Sequence, residues 1–342
     1  MELHIMKNLY TKKISSYSKA ILDAFEYLLK KNKDVIVIGQ GVWSPWYVGD
    51  TMNGLEKKFG KKRVIDTPVS EAAVTGMAIG ASIFDTRPIV VHPRMDFMLM
   101  ATDQIINQAA KWKYILGGAK DVKVTIRSII NRGGEQGAQH SQSLYSLFAN
   151  IPGIYVLMPS NPQDAFDMLI SATYANSPVI FIDDRWLYNL KSKITYSKKY
   201  NQDTIKNFKA KVIKKGNDIT IVSQSYGSYF SSKVSNILKE NNISAEIIDL
   251  RIINPLKIDA VYKSVLKTKK LVVIDFGWSN CSVSSEVIAK VNIYLSKRKK
   301  FYRSKRFNLP DTPAPTNRVL EDKYYLDEKK VAKSILKDFF RF

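Results

Sequence analysis

Short runs of apolar residues alternate with amphipathic stretches along most of this chain. Residues 35–38, VIVI, form one such run, and residues 88–92 form another. A continuous apolar run of this length is typical of a strand that is buried on both faces, as in a parallel sheet. Between the runs, apolar residues recur at helical spacing; residues 13–31, for example, are predicted to form an amphipathic helix. The alternation predicts an α/β fold, with a parallel sheet covered by helices on both faces.

The alternation lapses once and then resumes. From Trp186 to about Lys215 the sequence is rich in lysine, serine and asparagine, and the next strand is predicted over residues 219–223. A chain of 342 residues is long enough for two domains. We therefore predict a first domain over residues 1–190, a connector over residues 191–215, and a second, smaller α/β domain over residues 216–342.

The formal net charge is +22. The lysines are scattered, and the one dense basic cluster comes late in the chain, so solvated lysines are favoured over a surface for nucleic acid. A non-catalytic basic binding protein remains an alternative. No apolar run approaches the roughly 18 residues of a transmembrane helix, so no membrane partner is expected. The chain shows no signal-peptide pattern and has a single cysteine, Cys281, which together predict a cytoplasmic location.

Residues 64–82 combine a short strand, a turn and a helix with one carboxylate at its start. Ser70 is predicted to cap the helix by accepting an amide hydrogen of the first turn, and Glu71 follows it. Ala73, Gly76 and Gly80 share one helical face. Glycine inside a helix costs about 1 kcal/mol relative to alanine, which suggests that a backbone or a flat ligand packs closely there. Ligands gather at the carboxyl ends of strands in such sheets, so Glu71 is a candidate functional group.

Glu71 and a second candidate, His140, both have ordinary interpretations as well. Glu71 could simply be a first-turn glutamate that the helix dipole favours. His140 lies in a glycine-rich polar loop, residues 131–142, where a histidine needs no special role. The chain has no phosphate-binding loop of the GxxxxGK[ST] type and only three histidines, His4, His92 and His140, so a structural zinc site is not expected.

Several stretches point to one family when they are taken together and in order. They are residues 64–71 (VIDTPVSE), 87–88 (RP), 103–111 (DQIINQAAK), 137–142 (GAQHSQ) and 152–154 (PGI). In this order and spacing they resemble the β subunit of the 2-oxo acid dehydrogenase E1 component. That family includes pyruvate, branched-chain 2-oxo acid and acetoin dehydrogenases, within the transketolase-like group of thiamine diphosphate enzymes. Residues 247–256 and 313–321 resemble the family's C-terminal domain, so the resemblance covers nearly the whole chain.

The resemblance implies a pyrimidine-binding domain followed by a transketolase C-terminal-type domain. It implies that thiamine diphosphate binds between an α and a β subunit, with the β subunit holding the pyrimidine half. Glu71 is then expected to hydrogen-bond the pyrimidine N1′, Phe97 to pack on the pyrimidine ring, and His140 to face the reacting centre. The family's Mg²⁺–diphosphate motif is absent here and belongs to the α subunit. An α₂β₂ assembly is expected, and the isolated chain should bind the cofactor poorly and turn nothing over.

The implied reaction is oxidative decarboxylation of a 2-oxo acid, with the acyl group passed to a lipoyl acyltransferase. The alternative within the same class is the C-terminal half of a split transketolase, which would move a two-carbon ketol unit from a ketose in unusual sugar or surface-polysaccharide metabolism.

This chain departs from the family pattern near the cofactor. Gln40 replaces a residue that is usually acidic, and Pro93 replaces a larger apolar residue; both are expected to lie at the cofactor pocket. The stretch 92–96, HPRMD, is also unusual and puts Arg94 or Asp96 near the pocket, which suggests an unusual substrate. Ala175 and Ser177 replace polar residues around a loop that binds a monovalent cation in some relatives, which leaves that cation in question.

Overall fold

A computed structural model describes residues 13–196 and 199–340, so His4 lies outside the described residues. The strands, in chain order, are β1 Lys13–Ser16, β2 Val35–Gln40, β3 Val64–Thr67, β4 Arg87–His92, β5 Thr125–Ile130, β6 Tyr155–Leu157, β7 Val179–Asp184, β8 Lys191–Ile194, β9 Lys211–Lys214, β10 Ile219–Ser223, β11 Ala245–Asp249, β12 Ile252–Asn254, β13 Lys270–Trp278 and β14 Arg303–Leu309.

The α-helices are α1 Tyr17–Lys31, α2 Leu55–Phe59, α3 Glu71–Ile83, α4 Met95–Met98, α5 Ala110–Ile115, α6 Tyr145–Ala149, α7 Pro162–Tyr174, α8 Tyr226–Glu240, α9 Asp259–Thr268, α10 Val283–Ser296, α11 Arg318–Tyr324 and α12 Glu328–Phe340. No helix in the described part of the chain is long and apolar enough to cross a membrane.

The chain divides into two compact units, the first made of residues through Asn131 together with Ile151–Phe208. Strands of this unit form a sheet in the order β3-β2-β4-β5-β7-β6, and every neighbouring pair is parallel. All residues of β5 and β7 are buried, as expected for strands with helices on both sides. The parallel sheet predicted from the alternating pattern is confirmed.

The strand order of this sheet reverses at β2. The chain passes from β2 to β3 on one side, and then returns to place β4 on the other side of β2. The connections that leave the carboxyl ends of β2 and β4 therefore run in opposite directions along the sheet. A crevice opens where such connections diverge, and ligands bind there in open α/β sheets.

The segment after β4 is irregular, although apolar residues recur at helical spacing over residues 101–116 and predict a single helix there. Short α4 leads into a 3₁₀ turn over Leu99–Ala101, a π-helical segment over Gln104–Ala109 and then α5. A close backbone approach accompanies the change. A Cβ added to Gly153 would lie 2.1 Å from the carbonyl oxygen of Ala110, so a glycine is required where the chain passes the start of α5.

The second compact unit consists of Arg132–Asn150 and the chain from Lys209 onward. Its sheet has the order β14-β13-β10-β11-β9, in which β9 alone pairs antiparallel. A polar network is buried within this unit: the Tyr145 hydroxyl donates to the Asp275 carboxylate, and the Gln224 amide donates to the same oxygen at 2.9 Å. These bonds satisfy Asp275, whose pKa is raised by burial.

Candidate functional site

A shallow crevice, which encloses only about 10 Å³, lies in the first unit at the point where the strand order reverses. Gly39 and Gln40 line it from the carboxyl end of β2, and His92 and Pro93 line it from the end of β4. Parallel strands deliver their carboxyl ends to one edge of a sheet, so residues far apart in sequence meet here. The remaining lining residues are Thr67, Pro68, Ser70, Glu71, Val74, Val90 and Val91.

Glu71 is the first residue of α3 and is half-buried in this crevice. Its carboxylate makes no hydrogen bond or ion pair with the described residues. The predicted Ser70 cap is wrong, because the Ser70 hydroxyl donates to the carbonyl oxygen of Val69 at 2.6 Å and caps nothing. The first turn of α3 therefore leaves a carboxylate facing the crevice with its hydrogen-bonding capacity unused.

The crevice is too shallow to enclose a ring by itself, but its lining suits one edge of a flat, partly apolar ring that carries a nitrogen. The lining includes Val74, Val90 and Val91, all of which are buried. A carboxylate beside an apolar lining can accept a hydrogen bond from a ring N–H while the ring covers apolar atoms. The aminopyrimidine of thiamine diphosphate has this combination when its N1′ is protonated, so the lining residues fit this part of the group that the resemblance implies.

His92 also lines the crevice, although the sequence did not single it out for a role. Its ring is 3 % exposed, and its Nε2 lies 3.2 Å from the hydroxyl oxygen of Thr75, on α3. Burial lowers the pKa of His92 to about 4, so the imidazole is neutral at neutral pH. The hydrogen bond joins the end of β4 to the helix that carries Glu71. It therefore helps to fix the position of that helix against the strands. The signal in the sequence was a histidine that ends an apolar strand.

Gln40 belongs to a small polar arrangement at the rim of the crevice. Its side-chain amide donates to the Tyr47 hydroxyl at 2.6 Å. The Tyr47 ring lies against Gly41, where an added Cβ would be 2.3 Å from a ring carbon. Gly41 also has a positive φ of 64°, so only glycine suits this position.

Two other residues expected at the cofactor differ in where they lie. Pro93 lines the crevice next to His92, whereas Phe97, on α4, is not part of the lining and is 38 % exposed. A pyrimidine-packing role for Phe97 remains a prediction.

His140 belongs to the second compact unit, in the loop between Arg132 and α6. Its side chain is half-buried, and its backbone N–H donates to the carbonyl oxygen of Gly137 at 3.4 Å. Gly137 has a φ of +73°, and an added Cβ would lie 2.8 Å from the Thr316 hydroxyl. The loop thus has one defined turn beside His140, and the catalytic role of this histidine remains a prediction.

No cluster of histidine, cysteine, aspartate or glutamate that could hold a metal ion occurs among residues 13–196 and 199–340. A larger groove, of about 850 Å³, lies in the second unit beside Cys281 and the start of α10. The charged residues in its lining are Glu286 and Lys290, which pair with each other at 3.3 Å. The charges in its lining therefore compensate each other, and the smaller crevice, with its unpaired carboxylate, is the better candidate site.

Comparison with known proteins identifies the domain in which the crevice lies. The family model "Transketolase, pyrimidine binding domain" matches residues 13–191, and "Transketolase, C-terminal domain" matches residues 208–331. The chain is 35 % identical over 333 residues to the β subunit of acetoin:2,6-dichlorophenolindophenol oxidoreductase of Bacillus subtilis (strain 168), covering 93 % of this chain and 95 % of that protein. It is 36 % identical over 273 residues to the pyruvate dehydrogenase E1 component subunit β of Rickettsia bellii (strain RML369-C), covering 80 % and 83 %.

Among solved structures, the chain is similar to one described as "Split gene transketolase, inactive beta4 tetramer", with a TM-score of 0.72 and coverage of 94 % of this chain and 96 % of that one. At 18 % identity this likeness shows the fold alone. The family models and the curated relatives go further: the chain belongs to the β subunits of 2-oxo acid dehydrogenase E1 components, within the transketolase-like thiamine diphosphate enzymes.

Proposed function

We propose that this chain is the pyrimidine-holding subunit of a heteromeric thiamine diphosphate enzyme that acts on a 2-oxo acid. The observation that carries the proposal is the unpartnered Glu71 carboxylate facing an apolar-floored crevice at the strand-order reversal. When bound, thiamine diphosphate supplies a nucleophilic carbon and an electron sink for breaking a bond next to a carbonyl.

In this proposal the chain's residues hold and protonate one ring. Glu71 hydrogen-bonds the pyrimidine N1′ and keeps a proton there, while the apolar part of the lining, which includes Val74, covers an edge of the ring. His92, through Thr75, positions the helix that carries Glu71. Pro93 and Gln40 bound the ring at the rim, and His140 transfers protons at the reacting centre.

An α-type subunit completes the site, in an α₂β₂ assembly, and supplies the ligands of Mg²⁺ and the diphosphate. Consistent with such a partner, the first unit exposes large apolar side chains around α3: Val69 is 66 % exposed, Met77 is 59 % exposed and Phe84 is 82 % exposed. A lone subunit with such a surface is expected to bury it in an assembly. The acyl product passes to a lipoyl acyltransferase.

The test is co-expression with an α-type subunit from the same genome, followed by a screen of 2-oxo acids and ketoses with thiamine diphosphate and Mg²⁺. Decarboxylation would be followed with an artificial electron acceptor, and ketol transfer by product analysis. Glu71→Gln should lower kcat by about 100-fold or more while the complex still assembles, since proton transfer by a positioned side chain contributes about 10²–10⁴-fold.

A matched control is Glu240→Gln, which removes an exposed carboxylate at the end of α8 and should leave kcat unchanged. Turnover of a ketose and of no 2-oxo acid would favour the split-transketolase function. Normal activity of the Glu71→Gln complex would refute the role of Glu71.

A further inference from the structure

The guanidinium of Arg94 makes no hydrogen bond to a described residue, although Arg94 directly follows the crevice residue Pro93. Arg94 is half-buried, and none of its nitrogens hydrogen-bonds to a described residue. Nη1 of Arg94 is buried and has no hydrogen-bond partner, whereas Nε and Nη2 are accessible to solvent. A partly desolvated guanidinium whose N–H groups lack hydrogen-bond partners is costly, so a structure keeps one mainly where a ligand will bind to it.

A second arginine lies close to the first. Arg185 follows the carboxyl end of β7, and its Nη2 donates to the carbonyl oxygens of Tyr47, at 2.5 Å, and Trp46, at 3.3 Å. Its Nε is buried and has no hydrogen-bond partner. Its Nη1 makes no hydrogen bond either, but it is open to solvent. Two backbone carbonyls therefore fix this guanidinium while one of its edges remains available.

The two guanidinium groups repel each other. Burial lowers the pKa of Arg94, the charge of Arg185 lowers it further, and Asp96 and Tyr47 act in the opposite direction. The carboxylate of Asp96 therefore offsets part of the effect of Arg185 on Arg94. Two neighbouring guanidinium charges at a half-buried position are what an anionic ligand would stabilise.

The arginine pair is tied to the crevice through Tyr47. The Tyr47 carbonyl accepts from Arg185, and the Tyr47 hydroxyl accepts from Gln40, which lines the crevice. The Tyr47 ring also packs closely against Gly41, where an added Cβ would lie 2.3 Å from a ring carbon. An extended molecule reacting at the crevice could thus place its far end at the arginines.

We propose that Arg94 and Arg185 bind a terminal oxyanion of the substrate, remote from the reacting carbonyl. Guanidinium groups favour ligands with two or more oxygens, so a carboxylate and a phosphate share the required chemistry. The substrate class is then a 2-oxo acid with a second carboxylate, or a ketose phosphate. This inference rests on the proposed function, since it assigns a substrate to the same site.

The test compares matched substrates on the assembled α/β complex. One arm uses a 2-oxo dicarboxylate against a 2-oxo monocarboxylate of equal chain length, and the other uses a ketose phosphate against the free ketose. Arg94→Gln should raise KM about 10- to 100-fold for the substrate with the anionic tail, with kcat nearly unchanged, since a hydrogen bond to a charged group contributes about that factor. KM for the neutral-tailed partner should change less than about threefold.

Arg94→Gln is the decisive variant because the Arg94 side chain makes no hydrogen bond that supports the fold. Arg185→Gln should act in the same direction, and Arg94→Lys should recover part of the affinity. The control is Arg298→Gln, which removes an exposed guanidinium in the second unit and should change no KM. An equal rise in KM for both members of a substrate pair would overturn the inference. So would a loss of α/β association in Arg94→Gln, which would assign the arginines to a partner carboxylate.

A second readout separates this inference from the proposed function. Titration of the complex with inorganic phosphate, followed by calorimetry, should show binding that Arg94→Gln weakens by about tenfold or more. If no 2-oxo acid or ketose is turned over, the proposed function fails, and the phosphate titration still decides the anion site. If the wild-type complex is active and the variant matches it in both KM and phosphate binding, only the anion site fails.

Discussion

Arg127 shows how strongly single residues are constrained in the first unit. Its side chain is 0 % exposed, and it donates to both oxygens of Asp183, at 3.0 and 2.8 Å, and to the hydroxyls of Thr51 and Tyr188. Tyr188 in turn donates to Asp183 at 2.6 Å. Every charge in the group is compensated, and this completeness is what makes a buried ion pair tolerable.

Breaking this pair from one side should destabilise the first unit. Asp183→Asn leaves a buried guanidinium without its counter-charge, and the expected loss in free energy of unfolding is about 3–5 kcal/mol. Urea unfolding followed by tryptophan fluorescence suits the measurement, because four of the five tryptophans belong to this unit. Asp203→Asn, which breaks the exposed pair with Lys206, should cause no measurable change. A similar loss in both variants would contradict the argument.

His92 should make the stability of the first unit depend on pH. Its pKa is about 4 in the fold and near 6.5 when unfolded, so between these values the unfolded chain binds more protons. Stability from this residue is therefore complete above pH 6.5 and is lost as the pH falls to about 4, by about 3 kcal/mol in total.

His92→Gln should remove that part of the pH dependence. Urea unfolding of both proteins at pH 7.5 and pH 4.5 measures the effect, and the wild type should lose more free energy of unfolding than the variant over this interval. Equal losses in the two proteins would show that the His92 imidazole is not buried in its neutral form.

The segment between β4 and β5 departs from a regular helix near the place where its backbone packs against Gly153. The sequence pattern fits one helix over residues 101–116, but the chain inserts a π-helical turn over Gln104–Ala109. Such turns widen a helix locally and are frequent at functional sites. Here the following turn brings the Ala110 carbonyl against Gly153, which has a φ of +97°.

Gly153→Ala should therefore cost more than an ordinary glycine substitution at positive φ. The new Cβ would lie 2.1 Å from the Ala110 oxygen, so we expect a loss of about 3 kcal/mol or more in free energy of unfolding. Gly118→Ala is the matched control, since Gly118 has a φ of +85° and open space around its Cβ position. Its cost should be about 1–2 kcal/mol, from the backbone alone. Equal costs would mean that α5 shifts freely.

The small face of α3 is open within this chain. A Cβ on Gly80 would meet nothing within 4 Å, and one on Gly76 would be 3.5 Å from the Gln104 side chain. The close-packed neighbour that the glycines predict is therefore not supplied by the surrounding described residues. A subunit interface remains the prediction for this face.

Two substitutions at Gly80 test that interface. Gly80→Ala should stabilise the isolated chain by about 0.5–1 kcal/mol, because alanine is the better helix former and has room. Gly80→Leu should be tolerated by the isolated chain and should weaken its association with the α-type subunit, as measured by sedimentation of mixtures. Ile293→Trp, at an exposed apolar position on α10, is the control for added bulk. Full assembly of Gly80→Leu would rule out close packing at this face.

At the scale of the whole molecule, the proposed function makes this chain half of a site. The proposed function gives the pyrimidine to this subunit and the diphosphate to another, so binding energy for the cofactor is divided between two chains. The net charge of +22 would raise the local concentration of anionic substrates and partners around such an assembly.

The isolated chain should accordingly bind thiamine diphosphate weakly and catalyse nothing. Equilibrium dialysis with and without the α-type subunit measures the first point, and the substrate screen measures the second. High activity from the purified chain alone would contradict the division of the site.

The alternation of apolar runs and amphipathic stretches was enough to predict the parallel sheet, because burial on both faces leaves a continuous apolar signature in each strand. The stretches that include Glu71 and His140, taken together with residues 103–111 and in order, were enough to indicate the family. The sequence was a poorer guide to local detail. Ser70 has the right residue type for a cap, but its hydroxyl donates to the carbonyl oxygen of Val69 instead. No residue pattern distinguishes the π-helical turn from an ordinary helix.

The sequence by itself determined the fold class, the family and the candidate carboxylate, since these depend on patterns along the chain. Only the tertiary structure brought Gln40, Glu71 and His92 to one crevice, because the order of strands in a sheet depends on connections that no local pattern encodes. The same holds for Arg94 and Arg185, which are 91 positions apart. Whether a charged side chain is paired depends on which carboxyl ends of strands become neighbours, and that is decided when the sheet forms.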